Sequence, residues 1–173
     1  MTLNYFLRHV DFVRRIHPLN SYGKVMLTMK SVLIVCQGNI CRSPMAEGFI
    51  AHQLSSIHPS AMVSSAGLAA VVDYPAEPKA HAIMQKHGID ISRHRARQLT
   101  LELVQQAELI LVMTRRQLIA LGQQFLFAKE KVFLLGHWQN FEIRDPLGKT
   151  LSEFENVYQH IQFAWQDWKT RIL

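Results

Sequence analysis

Short, mostly apolar runs alternate with longer amphipathic segments along most of the chain. Four runs of five or six residues end at Gly, Ser or polar positions and are typical of buried strands. The predicted strands are residues 31–36, 61–65, 109–114 and 131–135. The segments between them are predicted to be helices, at residues 45–54, 78–87, 100–106 and 116–123. Ser43 as the cap and Pro44 in the first turn mark the start of the first helix, and Gly88 closes the second.

The last part of the chain shows the clearest helical pattern. Its apolar residues recur at spacings of three and four and form one stripe that packs on a sheet. The stripe consists of Phe154, Val157, Tyr158, Ile161, Ala164, Trp165 and Trp168. We expect the two tryptophans to lie in the core. Residues 89–98 are predicted to be a polar connection, and residues 136–148 a long loop.

The order of these elements predicts the fold class. Strands that alternate with helices are typical of a parallel sheet that is covered by helices on both faces. We therefore predict a single, doubly wound α/β domain with a four-stranded parallel sheet, which spans residues 31–173.

Charge and cysteine content narrow the class of protein. The 173 residues carry a formal charge of +6, but residues 1–30 contribute +4 (five basic, one acidic) and residues 31–173 only +2 (14 basic, 12 acidic). A nearly balanced body does not predict a nucleic-acid partner. Two cysteines exclude a disulfide framework and a four-cysteine zinc site, and they indicate a reduced, cytoplasmic protein. No apolar run is long enough for stable membrane insertion.

Residues 1–30 are interpreted as a basic N-terminal extension that is poorly ordered or dispensable. Four charged residues interrupt the apolar core that a signal peptide needs: Arg8, Asp11, Arg14 and Arg15. Met26 and Met29 lie just before the first strand, so the functional chain could begin there. The alternative is an arm that contacts a membrane surface or an acidic partner.

The first predicted strand ends in the loop "CQGNICRS", which has the features of an anion cradle. Gly38 and Asn39 tolerate left-handed backbone, and such turns aim successive N–H groups at an anion. The following helix adds its positive end, and Arg42 adds a planar fork that matches phosphate oxygens. This field favours the thiolate of Cys36, which Ser43 can support with a hydrogen bond. The loop therefore predicts attack at phosphorus and a phosphocysteine intermediate.

A leaving alkoxide or phenoxide needs a proton, and Asp145 in "RDPLG" is the best donor. It precedes Pro146, which favours an extended conformation in a surface loop. It also follows the fourth strand, so it can reach the edge of the sheet that carries the cradle. We expect burial beside a bound dianion to favour its protonated form, so that it acts first as acid and then as base on water.

These motifs resemble the low-molecular-weight protein tyrosine phosphatases. Besides Cys-x5-Arg-Ser and the distant Asp-Pro, five segments match in order over residues 31–173: "VLIVCQGNICRSPMAEG", "SSAGL", "HGIDISRHRAR", "LILVMT" and "KVFLLGHW". The resemblance implies a flavodoxin-like fold of the phosphotyrosine phosphatase I type. It is strongest to the bacterial branch that acts on tyrosine kinases of capsule or exopolysaccharide export. It implies a phosphotyrosine protein substrate, and no cofactor or metal is expected.

The resemblance also implies roles for individual residues. Cys36 is the nucleophile, Arg42 binds phosphate and Asp145 is the general acid and base. The phosphate-binding loop comprises Gln37, Gly38, Asn39, Ile40, Cys41 and Ser43. Asn39 holds the unusual backbone, and Ser65 braces it with a hydrogen bond. Leu147 stands where many members carry an aromatic residue, and it forms the substrate wall with Leu68 and Val71.

Several interpretations remain open. Cys41 either packs and supplies an N–H group, or protects Cys36 by forming a disulfide. Arg93, Arg95 and Arg97 form either a solvated face or a docking site for acidic or phosphorylated tails. Arsenate reduction and non-catalytic phosphate or redox sensing are the alternative functions. The oligomeric state is left unassigned.

Overall fold

The computed structural model describes residues 29–172, and it shows four parallel strands in one sheet. The strands are β1 (Ser31–Cys36), β2 (Met62–Gly67), β3 (Leu109–Val112) and β4 (Val132–Leu134). Their order in the sheet is β2-β1-β3-β4. The chain therefore runs from β1 to one side and then crosses back to the other, which places a topological switch point between β1 and β3.

In the described part of the chain, five α-helices cover this sheet. They are α1 (Arg42–Ser55), α2 (Pro78–Lys86), α3 (Leu101–Gln106), α4 (Arg115–Gln124) and α5 (Leu151–Ile172), with a 3-10 helix at Leu126–Lys131. Helices α1, α2 and α5 pack on the face that receives Val32 and Ile34 of β1. Helices α3 and α4 pack on the opposite face, which receives Leu33 and Val35. The alternation along β1 follows from the two-residue period of a strand, and it confirms the predicted doubly wound α/β fold.

The apolar stripe of α5 forms the largest part of one core layer. Trp165 and Trp168 are fully buried, as predicted, and Nε1 of Trp168 donates to the carbonyl of Leu135 at 2.8 Å. None of the helices in the described residues has the length and apolar character needed to cross a membrane.

The domain begins before the first strand. Met29 is fully buried in the core, and the N–H of Lys30 donates to the carboxylate of Glu108. The predictions for residues 1–28 fall outside the described part of the chain. The boundary between extension and domain after residue 30 stays a prediction.

The predicted cap of α1 is wrong. The helix begins at Arg42, and its N-cap position is Cys41, which makes no side-chain cap hydrogen bond. Ser43 does not cap the helix because its hydroxyl is bonded to Cys36 and Asn39 instead. The other boundaries differ from prediction by a few residues, and β2 includes Ala66 and Gly67, which were expected to end it.

Candidate active site

Cys36 lies at the carboxyl end of β1, beside the switch point, and is almost completely buried. Two groups contact its sulfur. The Oγ of Ser43 lies 2.9 Å from Sγ, and the N–H of Asn39 donates to Sγ at 3.3 Å. These are contacts that a thiolate accepts, so the sulfur is surrounded by groups suited to its nucleophilic form.

The backbone of residues 36–41 forms a nest around that sulfur. All six carbonyls accept hydrogen bonds from surrounding segments. The donors are, in order, the N–H of Leu68, Ala69 and Val71, Nε2 of His94, and the N–H of Glu77 and Met45. Within residues 29–172 every peptide bond is trans. In a trans peptide bond, the C=O of one residue points opposite to the N–H of the next residue. Carbonyls that point out of the loop therefore leave the N–H groups of residues 37–42 pointing into it. The result is an anion cradle with sulfur at its base.

Asn39 is the centre of the hydrogen bonds that hold the cradle. It is fully buried and has a φ of +57°, in the left-handed region. Its Oδ1 accepts the N–H of Arg97 at 2.9 Å, so its Nδ2 must face the two hydroxyls of Ser43 and Ser65, each at 2.8 Å. Because Ser43 accepts this N–H, its own hydrogen is available to the sulfur of Cys36.

Further hydrogen bonds and ionic contacts, made by Ser65, Glu47 and His94, support the position of Asn39. Ser65 accepts from Asn39 and donates to Oε2 of Glu47 at 2.5 Å. The same carboxylate oxygen lies 3.9 Å from Nδ1 of His94, whose Nε2 donates to the carbonyl of Asn39 at 2.7 Å. Gly67 allows the end of β2 to approach this region, since a Cβ there would lie 2.7 Å from the carbonyl of Gln37. The bracing contact expected between Ser65 and Asn39 is therefore present.

Arg42, the first residue of α1, is also buried. Its Nη1 donates to the carbonyl of Ile143 at 3.3 Å, and its Nη2 forms an ion pair with Oδ2 of Asp145. Its Nε is buried and has no hydrogen-bond partner in the described part of the chain. A buried N–H of this kind is available to a ligand.

Asp145 lies in the loop after β4, at the mouth of the cradle. Its side chain is 45% exposed, so the burial that the sequence suggested is not present. Besides the pair with Arg42, its Oδ1 accepts the N–H of Leu147 at 3.2 Å. The ion pair with Arg42 thus holds the carboxylate at the cradle, although the two residues are 103 positions apart in the chain.

A cavity of about 210 Å³ opens over the cradle. It is lined by Cys36, Gln37, Gly38, Ile40, Cys41, Arg42, Ala69, Val71, Asp145 and Leu147. Val71 and Leu147 lie at its wall, where the sequence placed them. Leu68 does not, and that prediction is corrected: it packs on the opposite core layer with Ala66.

Cys41 is buried in the wall of this cavity and is unpaired, like Cys36. Desolvation by burial, with the negative charge of Asp145 second, raises the pKa of its thiol to about 12. It therefore remains a thiol at neutral pH. Because the thiolate is the attacking species in disulfide formation, this favours the packing and N–H role over redox protection.

Two residues of the 89–98 segment have a role at the site that sequence reasoning missed. His94 and Arg97 both bond to Asn39, and Nε of Arg97 also donates to the carbonyl of Ser65 at 2.8 Å. Arg93 and Arg95 are exposed, which fits a solvated face, but Arg97 braces the loop. The signal available was the motif "RHRAR" itself, which was interpreted as a run of charge.

The fold and the site together define a class: a parallel α/β protein with an anion-binding loop and a buried sulfur at its switch point. A family model described as low molecular weight phosphotyrosine protein phosphatase matches residues 31–172. The chain belongs to this family, as the sequence motifs predicted.

Individual relatives agree with this assignment. The chain is 44% identical to the probable low molecular weight protein-tyrosine-phosphatase EpsP of Ralstonia nicotianae, over 83% of this chain and 97% of that protein. It is 42% identical to the low molecular weight protein-tyrosine-phosphatase Ptp of Acinetobacter johnsonii, over 84% and 100%. The solved structure of Vibrio vulnificus Wzb in complex with benzylphosphonate matches with a TM-score of 0.77 and 34% identity, over 83% and 99%.

Proposed function

We propose that this protein hydrolyses phosphotyrosine in a protein substrate through a phosphocysteine intermediate. The observation that carries the proposal is the arrangement of the cradle: six backbone carbonyls held from outside, the sulfur of Cys36 at the base, and Arg42 and Asp145 at the mouth. Membership of the phosphatase family supports the same reaction.

Binding uses groups that the empty loop already orients. The phosphoryl oxygens accept hydrogen bonds from the N–H groups of residues 37–42 and from Arg42. Because the carbonyls are held from outside, the N–H groups need no rearrangement when charge develops on the oxygens in the transition state. The positive end of α1 adds to this field.

In the first step, the thiolate of Cys36 attacks phosphorus. The S–P bond forms as the bond between phosphorus and the tyrosyl oxygen breaks. Asp145 in its protonated form donates its proton to that oxygen, so the product leaves as neutral tyrosine. The carboxyl group must first exchange its contact with Arg42 for one with the leaving oxygen.

In the second step, water replaces the sulfur. The carboxylate of Asp145 accepts a proton from the water as its oxygen bonds to phosphorus, and the S–P bond breaks. Inorganic phosphate leaves, Cys36 returns to the thiolate, and Asp145 returns to the acid form. Ser43 and the N–H of Asn39 stabilise the thiolate as a leaving group.

The walls of the cavity fit a flat ring. Val71 and Leu147 supply aliphatic surfaces, which pack against a phenyl ring but lack the stacking geometry of an aromatic wall. The structure of the Vibrio relative contains benzylphosphonate, a ligand that also joins a ring to a tetrahedral phosphorus group. This supports an aryl phosphate as the group that enters the cavity.

The protein substrate that we propose is an autophosphorylated bacterial tyrosine kinase of capsule or exopolysaccharide production. The support is the resemblance to the bacterial branch and the relatives EpsP and Wzb. A cytoplasmic location is part of the proposal, supported by Cys36, which is unpaired and whose sulfur the chemistry requires in reduced form.

The direct test is a pair of matched substitutions in one loop. Cys36→Ser is expected to abolish hydrolysis of an aryl phosphate while vanadate still binds, because the cradle is made of backbone. Cys41→Ser makes the same chemical change five residues along and is expected to retain measurable turnover. Substantial activity in Cys36→Ser would refute the proposal.

Arsenate reduction remains the alternative that the fold allows. The thioredoxin-coupled reaction relays electrons through further cysteines, and this sequence has none after Cys41. An assay of arsenate-dependent thiol consumption, run beside the aryl phosphatase assay, decides between the two functions. Readily measured aryl phosphatase turnover also rejects a purely sensing role.

A further inference from the structure

One side of the cavity mouth carries exposed cations that the chemistry does not use. Residues 144–149 follow β4 and supply two cavity residues, Asp145 and Leu147. Arg144 and Lys149 flank them, and both are exposed. Neither side chain forms a hydrogen bond or an ion pair with any other residue in the 29–172 range.

Arg144 is fixed at the mouth through its neighbours. The N–H of Ile143 donates to the carbonyl of Met113 at 2.9 Å, and its own carbonyl accepts from Arg42. On the other side, Asp145 is paired with the same Arg42. The backbone of Arg144 is therefore held at both ends, while its guanidinium is free to meet a ligand in solvent.

Lys149 is placed by a turn. Its N–H donates to the carbonyl of Pro146 at 2.8 Å, and Gly148 has a φ of +74°. The ammonium of Lys79, at the start of α2, donates to the carbonyl of Lys149 at 2.8 Å. This contact places the ammonium of Lys79 beside Lys149, on the segment that also carries Arg144 and Asp145, whose carboxylate is paired with Arg42.

The opposite side of the mouth has a different character. Val71, Val72 and Tyr74 are exposed, with 38%, 53% and 63% of their surface accessible. The carboxylate of Glu77 does not add to this side: it lies beside Lys79 as the cap of α2, where it accepts from the N–H groups of Lys79 and Ala80. Asp73 is exposed and adds a negative charge there. The mouth therefore has a cationic side and an apolar, slightly acidic side.

We propose that this protein selects phosphotyrosines with acidic neighbours in the substrate, and that Arg144 and Lys149 bind those carboxylates. The inference rests on the proposed function, since it concerns the chain around the same phosphotyrosine. Complementary charge at a rim speeds encounter and fixes the orientation of the partner more than it adds affinity. Asp73 on the far side strengthens the orientation by repelling the acidic flank.

The test uses phosphotyrosine peptides of equal length whose flanking residues are Glu, Gln or Lys. The value of kcat/KM is expected to be highest for the Glu peptide, intermediate for the Gln peptide and lowest for the Lys peptide. The difference is expected to lie in KM and to become smaller as salt is added. Arg144→Gln and Lys149→Gln are expected to lower kcat/KM for the Glu peptide by up to about fivefold each. Their effect on the Lys peptide is expected to be absent or opposite in sign.

Lys129→Gln is the matched control. It removes one positive charge from an exposed residue just before β4, at the opposite end of the sheet, so it should leave the peptide preference unchanged. An equal response of all three peptides to Arg144→Gln and Lys149→Gln, or no preference in the wild type, would overturn the inference. A small aryl phosphate tests the proposed function separately from this inference. If the aryl phosphate is hydrolysed but the three peptides react equally well, only this inference fails. If the aryl phosphate is not hydrolysed, the proposed function fails and the inference with it.

Discussion

The phosphate loop and the loop that carries Asp145 meet over the same cavity, yet they are held in very different ways. In residues 36–41 every carbonyl has a partner, and the side chain of Asn39 makes three hydrogen bonds. Asp145 is 45% exposed and is held by Arg42 and by the N–H of its second neighbour.

The difference matches what each region has to do. The cradle must present fixed N–H groups to charge that develops on the phosphoryl oxygens, and it gains from rigidity. The carboxyl group must serve a leaving oxygen and then a water molecule, so it needs to change partners. The account therefore predicts that changes in the first region affect folding and catalysis together, and changes in the second affect catalysis alone.

Of the substitutions that compare the two loops, Asp145→Asn is expected to give the largest effect on the rate. Loss of a general acid typically costs about 10²- to 10⁴-fold in rate, and the loss should be greatest for substrates with poor leaving groups. The melting temperature should change little, because the side chain is half exposed. Steady-state kinetics on a series of aryl phosphates, with thermal unfolding in parallel, measures both.

An equal loss for good and poor leaving groups would show that Asp145 does not protonate the leaving oxygen. A large fall in melting temperature would show that the loop is part of the structural framework, and the contrast between the two regions would be lost.

Asn39→Ala tests the other region. It removes three buried hydrogen bonds, leaves the N–H of Arg97 without its partner and places Ala at a φ of +57°. We expect a loss of about 2–4 kcal/mol in the free energy of unfolding, together with most of the activity. Urea unfolding monitored by tryptophan fluorescence checks the first value.

Asn140→Ala is the matched control, because Asn140 has the same φ but is exposed, and among residues 29–172 its side chain accepts only from Arg115, at 2.7 Å. The backbone cost is shared, so the difference between the variants isolates the buried contacts. Similar destabilisation by both substitutions would contradict the central role of Asn39.

Cys41 gives the smallest effect, and it depends on pH. The folded protein holds its proton up to about pH 12, whereas an unfolded thiol loses it near 9.0. Between these values the native state binds more protons than the unfolded state, so stability falls as pH rises. The slope from Cys41 is at most about 1.4 kcal/mol per pH unit. Cys41→Ser should flatten the curve of unfolding free energy in this alkaline window, and identical slopes would contradict the assignment.

Local sequence patterns predicted the fold and the residues at the centre of the site. They did not predict the hydrogen bonds that depend on contacts between distant segments. The strands, the cradle and the distant Asp145 each leave a local signature, since a buried strand, a Gly-Asn loop and an Asp-Pro pair are recognisable alone. The bonds from His94 and Arg97 to Asn39 do not, because they depend on how a segment 55 or more residues away folds back. The sequence predicts two roles for Ser43, a helix cap and a hydrogen bond to Cys36, and only the second is present, because its hydroxyl is used within the loop.

The central claim is that Cys36 forms a covalent bond to phosphorus during turnover. Its most direct measurement is mass spectrometry of peptides from a reaction that is quenched with denaturant, without acidification, while an aryl phosphate is being hydrolysed. The account predicts one phosphoryl group on the peptide that contains Cys36, with a higher yield in Asp145→Asn if attack of water becomes limiting, and none in Cys36→Ser. Turnover with no phosphoryl group on Cys36 under conditions that preserve thiophosphate bonds, or with the group on another residue, would contradict it.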